Sequence, residues 1–319
     1  MFCSVNVSLH PDFLKLSKNR RYLLGISGGR DSVALLHTLL AAGFHKLVLC
    51  HLNHGLRGKE SGQDAAFVRR AAKKHDLPCE IGRVNMDKLM KENGESMELA
   101  ARNARQRFFR VCAKTYRCKR VLLAHHADDQ AETILFNLLR GSNGLKGMQF
   151  TASHQVGDMR LEMLRPFLNV TRNQIDIYLA DHHIKYRDDA SNAQAVATRN
   201  RLRNEAIPLL NDIMGRDIRP AVLRAEAASQ SLQSAAGELL SSIQTEDPQG
   251  RLFLPKLVEL SPVMQSTVIH DYLKKHGIPN VSHHLLERCI TLITDPSTAK
   301  INLPGDRFFR RKEKRLFII

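Results

Sequence analysis

The chain has 319 residues, enough for two domains at ~150 residues each and long enough to build a core without disulfides. Hydrophobic residues make up 43% and charged residues 25%, which excludes wholesale disorder, and no apolar run reaches the ~18 residues of a membrane span. Forty-eight Lys and Arg against 32 Asp and Glu leave a net charge of +16, which favours a polyanionic partner: nucleic acid first, an anionic membrane surface second, with an ordinary basic enzyme as the plain alternative.

In chain order, the first twenty residues carry no long apolar core behind a basic start, so a secretory signal is not expected and the predicted location is cytoplasmic. Residues 22–26 (YLLGI) read as a strand that breaks at Ser27-Gly28-Gly29. A helix follows, with Val33, Leu36, Leu39 and Leu40 on one face and Gly43 as its stop. Strands are predicted at 47–52, 79–84 and 120–125, with helices at 61–75, 95–114 and 128–140. The stretch 141–160 has no clear periodicity and reads as a loop; 161–167 adds a strand and 171–182 a helix. Strands alternating with helices imply parallel crossovers and a layered α/β domain.

The texture changes after about residue 205. Residues 221–243 read as one long helix, 244–250 as a turn-rich break, and 262–276 and 282–294 as further helices. A terminal β-hairpin is centred on Pro304-Gly305-Asp306. The predicted organisation is a parallel-sheet α/β domain over 1–214 and a smaller, mainly helical domain over 215–319. Cys3, Cys50, Cys79, Cys112, Cys118 and Cys289 contain no CxxC spacing, so zinc ribbons and CxxC redox sites are disfavoured and free thiols in a reducing cytosol are expected.

The first chemical signal is Ser27-Gly28-Gly29-Arg30-Asp31-Ser32, between a strand and a helix. A helix amino terminus carries unpaired N–H groups and partial positive charge, and so attracts phosphate. Gly28 and Gly29 let the backbone approach phosphate oxygens, and Ser27 and Ser32 offer hydroxyls. Asp31 would repel a phosphate unless a magnesium ion bridged them. Neither G-x-x-x-x-G-K-[ST] nor G-x-G-x-x-G occurs, so Walker nucleotidases and dinucleotide oxidoreductases are disfavoured. A simple helix cap is the alternative reading.

Four further segments bear chemistry. His51-Leu52-Asn53-His54-Gly55-Leu56-Arg57 ends the second strand, where ligands gather in open α/β sheets; a polar turn is the plain alternative. In the helix after residue 95, Glu98, Arg102 and Arg105 share a face, as a salt bridge or as a phosphate contact. His125-His126-Ala127-Asp128-Asp129-Gln130-Ala131-Glu132-Thr133 follows the fourth strand and reads either as a cap or as metal ligands and acid–base groups. Asp188-Asp189-Ala190-Ser191-Asn192 precedes an arginine cluster, Arg199, Arg201 and Arg203.

The SGGRDS string resembles the PP-loop of the ATP pyrophosphatase superfamily, which implies cleavage of ATP between the α and β phosphates. Together with NHGLR, HHADDQAET, the RPFL segment at 165–168, Arg172 and the DASN…RNRLR segment, the chain over about 20–210 closely resembles the tRNA(Ile)-lysidine synthetases. The resemblance implies a Rossmann-like PP-loop domain and a carbon–nitrogen ligase. In that reaction ATP adenylates the carbon-2 oxygen of the wobble cytidine of a CAU-anticodon tRNA(Ile), releasing pyrophosphate. Free L-lysine then attacks carbon 2 through its ε-amine and expels AMP.

The implied ATP site is Ser27, Gly28, Gly29, Arg30, Asp31, Ser32, His51 and Asn53. The implied catalytic residues are Asp31, Arg102, Arg105, His125, Asp128 and Asp129, with Asp31 and Asp128 on magnesium. Asp128 and Asp129 are both candidates to accept the lysine proton. Arg199, Arg201, Arg203, Arg310, Arg311 and Lys312 are candidate RNA contacts, the last three alternatively a solvated hairpin. The family often carries a further small domain, so this chain is expected to be a short form. A tRNA thiolase of the same superfamily is the alternative enzyme, disfavoured because it usually needs paired cysteines, and a non-catalytic RNA-binding protein is the other alternative. Oligomeric state is left open, a homodimer included.

Overall fold

The computed structural model describes residues 7–53, 59–86, 89–90, 94, 96–142, 144–187, 198–242, 244–279 and 281–319. The chain forms two compact units, one of residues 1–136 with 147–223, the other of 137–146 with 224–319.

The first unit opens with a short helix α1 (Pro11–Leu14), then β1 (Tyr22–Gly25), α2 (Arg30–Ala41), β2 (Leu47–Asn53), α3 (Lys59–Lys74) and β3 (Cys79–Arg83). Next come α4 (Met97–Tyr116), β4 (Arg120–Leu122), α5 (Ala127–Leu139), the antiparallel pair β5 (Thr151–Val156) and β6 (Met159–Leu164), and α6 (Arg172–Asp181). The sheet order is β3-β2-β1-β4-β6-β5, parallel except for the edge strand β5. The chain runs outward from β1 to β2 and β3, then returns to place β4 on β1's other side. That reversal leaves a crevice at the carboxyl ends of β1 and β4, where open α/β sheets bind ligands.

The strands are near-continuous apolar runs because helices cover the sheet; Leu23, Leu24, Val48, Leu49, Val121 and Leu122 are all buried. Phe13, Tyr22 and Phe44 close one end of this core, with Phe13 and Phe44 centroids 4.7 Å apart. Truncating such a ring to alanine costs about 3–5 kcal/mol.

Two expectations change. The fourth strand is only Arg120–Leu122, so the residues up to His125 are loop. The stretch expected as loop contains β5 (Thr151–Val156), whose polar sequence TASHQV alternates exposed and half-buried positions and pairs with β6 from Thr151↔Leu164 to Val156↔Met159. Short helices α7 (Thr198–Arg201) and α8 (Ile207–Met214) flank a single π turn at Leu202–Ala206.

The long helix α9 (Arg219–Ser242) passes from the first unit to the second. The second unit continues with β7 (Leu252–Phe253), α10 (Leu254–Val258), α11 (Pro262–Lys275) and α12 (His283–Thr294). Strands β8 (Lys300–Leu303), β9 (Arg307–Lys312) and β10 (Arg315–Ile318) complete an antiparallel sheet of order β7-β10-β9-β8. The expected hairpin at Pro304-Gly305-Asp306 is β8–β9, with positive φ at Gly305 and Asp306; a second turn at Glu313-Lys314, also at positive φ, adds β10. Ile269, Leu273, Leu286, Cys289 and Phe309 form this unit's own core.

Candidate active site

The glycine loop leaves β1 and enters α2 at the crevice. Gly28 has φ +93°, a conformation that L side chains rarely adopt, and a Cβ there would meet the Phe67 ring at 3.5 Å. Ser27 Oγ accepts from the Gly29 N–H at 3.1 Å, and Ser32 Oγ accepts from the Ser27 N–H at 3.2 Å and donates to the Gly29 carbonyl at 2.9 Å. Gly29 is the N-cap and supplies no side-chain acceptor, so the amino-terminal dipole of α2 is left for a ligand. A plain helix cap would have used the serine on the first-turn N–H groups; here the serines brace the loop instead.

The loop is held from outside. The Arg187 N–H donates to the Gly28 carbonyl at 3.0 Å, and its guanidinium donates to Asp64 Oδ1 at 2.7 Å and Gln63 Oε1 at 3.0 Å, both on α3. Arg30 Nη1 donates to Asp176 Oδ1 on α6 at 2.7 Å. Neither partner was legible as such in the sequence.

Asp31 lies across from the fourth strand's loop. His126 Nε2 sits 3.8 Å from Asp31 Oδ2 and 3.6 Å from Asp129 Oδ2, so the two carboxylates share one buried imidazole. Burial pushes the Asp31 carboxyl above its usual range, against the pull of His126, and Asp31 Oδ1 is buried without a hydrogen-bond partner. His125 is pushed down to about 4, chiefly by burial and further by Arg165 and Arg105, and its Nδ1 has no partner.

Asp128 and Asp129 both stand in the first turn of α5, where the helix dipole favours them, yet they have different roles. Asp128 accepts the Arg172 N–H at 2.8 Å and an ion pair from Arg219 Nη1, so both its oxygens are taken. Asp129 Oδ2 accepts the His126 N–H at 3.1 Å, and its Oδ1 pairs with Arg203 Nη2 at 2.6 Å. Arg203 also grips Glu132, Nε to Oε1 at 2.5 Å and Nη2 to Oε2 at 2.8 Å. Burial raises the Glu132 carboxyl, and Arg203 opposes that.

A cationic wall stands nearby in the first unit. Arg102 and Arg105 are exposed on α4; Arg102 lowers the pKa of His154 and Arg165, and Arg105 that of His125. Arg165 is 9% exposed, donates from Nη1 to the Gln149 carbonyl at 2.6 Å, and has an unpartnered buried Nε. Arg102 and Arg165 within electrostatic reach of each other, with Arg105 and Arg165 both acting on His125, attract an anion. Arg165 had been read only as part of a matching segment; its burial beside Arg102 is what the sequence could not display.

The remaining expected residues make the following contacts. His51 Nδ1 bonds the Ile26 carbonyl at 2.9 Å, tying β2 to β1, and Asn53 ends β2. Glu98's side chain, His54 to Gly58, Glu95 and the Asp188–Asn192 segment lie outside the described residues. Arg199 stacks over the Phe136 ring at 5.2 Å, and Arg201 pairs with Glu205 at 3.1 Å. In the second unit Arg311 Nη1 donates to the Leu292 and Asp295 carbonyls at 3.2 and 3.3 Å, capping the end of α12, whereas Arg310 is exposed and Lys312 stands 3.7 Å from Glu313. Among the described residues no group of three His, Cys, Asp or Glu is arranged to hold a metal. Asp31 nevertheless suits a magnesium ion shared with a triphosphate, since magnesium takes one or two carboxylates plus substrate phosphates and Asp31 Oδ1 is unsatisfied. Asp128 does not suit it while Arg219 and Arg172 hold its oxygens.

A doubly wound sheet with an uncapped glycine loop at its reversal point, carboxylates beside it and arginines around it defines a nucleotide-binding α/β protein that handles phosphate. The chain belongs to the PP-loop domain family, whose model matches residues 5–210. It is 33% identical over 304 residues to the tRNA(Ile)-lysidine synthase of Porphyromonas gingivalis, covering 93% of this chain and 63% of that protein. The Bacillus cereus enzyme of the same name is 33% identical, with 92% of this chain and 65% of the relative covered. The chain thus spans just under two thirds of the length of these relatives. Among solved structures it resembles the U34-tRNA thiolase NcsA from Methanococcus maripaludis at TM-score 0.52 and 17% identity, over 70% of this chain and 76% of the other, a likeness of fold. No helix among the described residues is long and apolar enough to cross a membrane.

Proposed function

We propose that this protein is an ATP-dependent ligase that joins free L-lysine to carbon 2 of the wobble cytidine of a CAU-anticodon tRNA(Ile). The observation that carries the reading is the convergence of Asp31 and Asp129 on His126 Nε2 beside the uncapped α2 terminus. The names of the relatives, and their extent of identity, support the same substrate.

The α2 amino terminus and the loop N–H groups bind the β and γ phosphates of ATP. Arg102, Arg105 and Arg165 balance charge at the α phosphate as the cytidine carbon-2 oxygen attacks it and pyrophosphate departs. Asp31 would hold a magnesium ion shared with the triphosphate, which would supply neutralisation of the phosphate charge. Asp31, Asp129 and Glu132 offer the ammonium of lysine its counter-charge, and a carboxylate of this cluster accepts its proton; the freed amine adds to carbon 2 and AMP leaves with the oxygen. Asp128 acts through Arg219 and the Arg172 backbone, as a brace. Arg199, Arg201, Arg310 and Lys312 are candidate contacts for phosphates of the tRNA.

A second reading, sulfur transfer by the same activation, is not favoured. Cys50 and Cys112 share one apolar cluster, but both are buried in the core between sheet and α4, and the Cys50 thiol donates to the Val48 carbonyl at 3.6 Å. Radiolabelled lysine, ATP and a panel of tRNA transcripts give the test. Lysine should enter only CAU-anticodon tRNA(Ile). Turnover of ATP and tRNA that needed a sulfur donor and left lysine free would overturn the assignment.

A further inference from the structure

A cavity of about 720 Å³ lies on the outer side of α2, between α3, α6 and the residues that follow α6. Of its lining only Phe67, which stands beside Gly28, also touches the site above. Its floor is apolar: Val33 and Leu36 of α2, Phe67 of α3, Tyr178 of α6 and Ile184. Its cations are Arg70, Lys74 and Lys185, all exposed, and His37, His75 and His182 join them. Among the described residues no carboxylate lines it.

That charge pattern is not neutralised from within. The His37 and His75 rings meet edge to face with centroids 5.2 Å apart, and the Nε2 of His75 is buried without a partner. His37 is pushed down to about 4, first by burial, and every charge acting on it (His75, Lys74, His182) pushes the same way. A concave, largely apolar site with convergent polar groups and perturbed titration is the general description of a ligand pocket. The volume takes a base and a ribose. An RNA backbone would use the exposed cations and leave the floor empty, so a small ligand matches better.

We propose that this cavity is a second ligand site that takes a free mononucleotide, its flat base against Val33, Phe67 and Tyr178 and its phosphate among Arg70, Lys74 and Lys185. It is separate from the phosphate loop but shares a wall with it, because Phe67 also stands 3.5 Å from where a Cβ on Gly28 would lie. Both sites therefore touch the Phe67 side chain.

The test uses the full chain and the His37 imidazole resonance, assigned with His37→Gln, titrated with AMP, adenosine and inorganic phosphate in turn. AMP should raise the His37 pKa saturably, because an anion beside an imidazole favours its protonated form. Adenosine and phosphate alone should bind more weakly than AMP. Lys74→Glu with Lys185→Glu should weaken AMP at this site about tenfold, as inverting two exposed cations around one anion does, while ATP binding at the glycine loop stays unchanged. An unmoved His37 under saturating AMP overturns the proposal. So does a shift that survives the double substitution, which would come from the loop through α2, and so does a shift produced by tRNA and not by AMP.

Discussion

Replacing Arg203 with methionine keeps most of the side chain's apolar length and removes the charge shared by Asp129 and Glu132. Glu132 is 7% exposed, so the variant strands a buried carboxylate. Breaking a buried pair by removing one partner costs about 3–5 kcal/mol, and the half-open side of Arg203 places this case near about 3. For a unit of roughly two hundred residues that is a fall in melting temperature of about 6–12 °C. The loss depends on pH with a definite sign. Glu132's folded pKa already lies above its ordinary 4.5, and losing Arg203 lifts it further. The folded state then binds more protons than the unfolded state just above pH 4.5, so stability falls as pH rises through the folded pKa. Calorimetry of Arg203→Met should show the smallest deficit near pH 4.5 and the largest at neutral pH and above. Adding Glu132→Gln should recover about 1–2 kcal/mol, because the stranded charge is gone. If Arg203→Met melts within about 1 °C of the parent at every pH, as a solvated surface arginine would, the buried triad is refuted.

Asp31→Asn should abolish ATP-dependent pyrophosphate release and leave tRNA affinity in a filter-binding assay nearly intact; normal pyrophosphate output would remove Asp31 from the chemistry. Because burial raises the Asp31 pKa, titration of the Asp31 carboxyl resonance in the metal-free protein should give a value above the ordinary aspartate value of 3.8; a value at or below that contradicts the buried setting. Gly28→Ala should cost about 1–2 kcal/mol from left-handed strain and raise the ATP dissociation constant, read by calorimetry; wild-type binding would mean the loop is not the cradle. Neutralising Arg310 and Lys312 together should reduce the salt slope of tRNA binding by about 2, whereas Arg311→Ala should chiefly lower the melting temperature of the second unit; the reverse pattern would refute the α12 cap.

The glycine loop, the alternation of strand and helix, and the HHADDQAET turn were legible because each is a local property. Apolar period, glycine placement and the acidic first turn of a helix are decided within a few residues of chain. The second unit's helices were legible for the same reason. Strand β5 was not, since TASHQV has too little apolar contrast to announce a strand and becomes one only by pairing with β6 at the sheet's edge.

Charge partners were the other blind spot. Along the chain Asp128 and Asp129 are equivalent, and Arg203 and Arg311 read as cations free for RNA. Folding brings Arg219 and the Arg172 N–H onto Asp128, Arg203 onto Asp129 and Glu132, and Arg311 onto the carbonyls ending α12. The sequence by itself determined where the glycine turn and the uncapped helix terminus would stand, because both are made locally. Only the tertiary structure decided which carboxylate meets which arginine, because ion pairing between residues 71 to 91 positions apart is fixed by packing and burial and leaves no periodic trace in the chain.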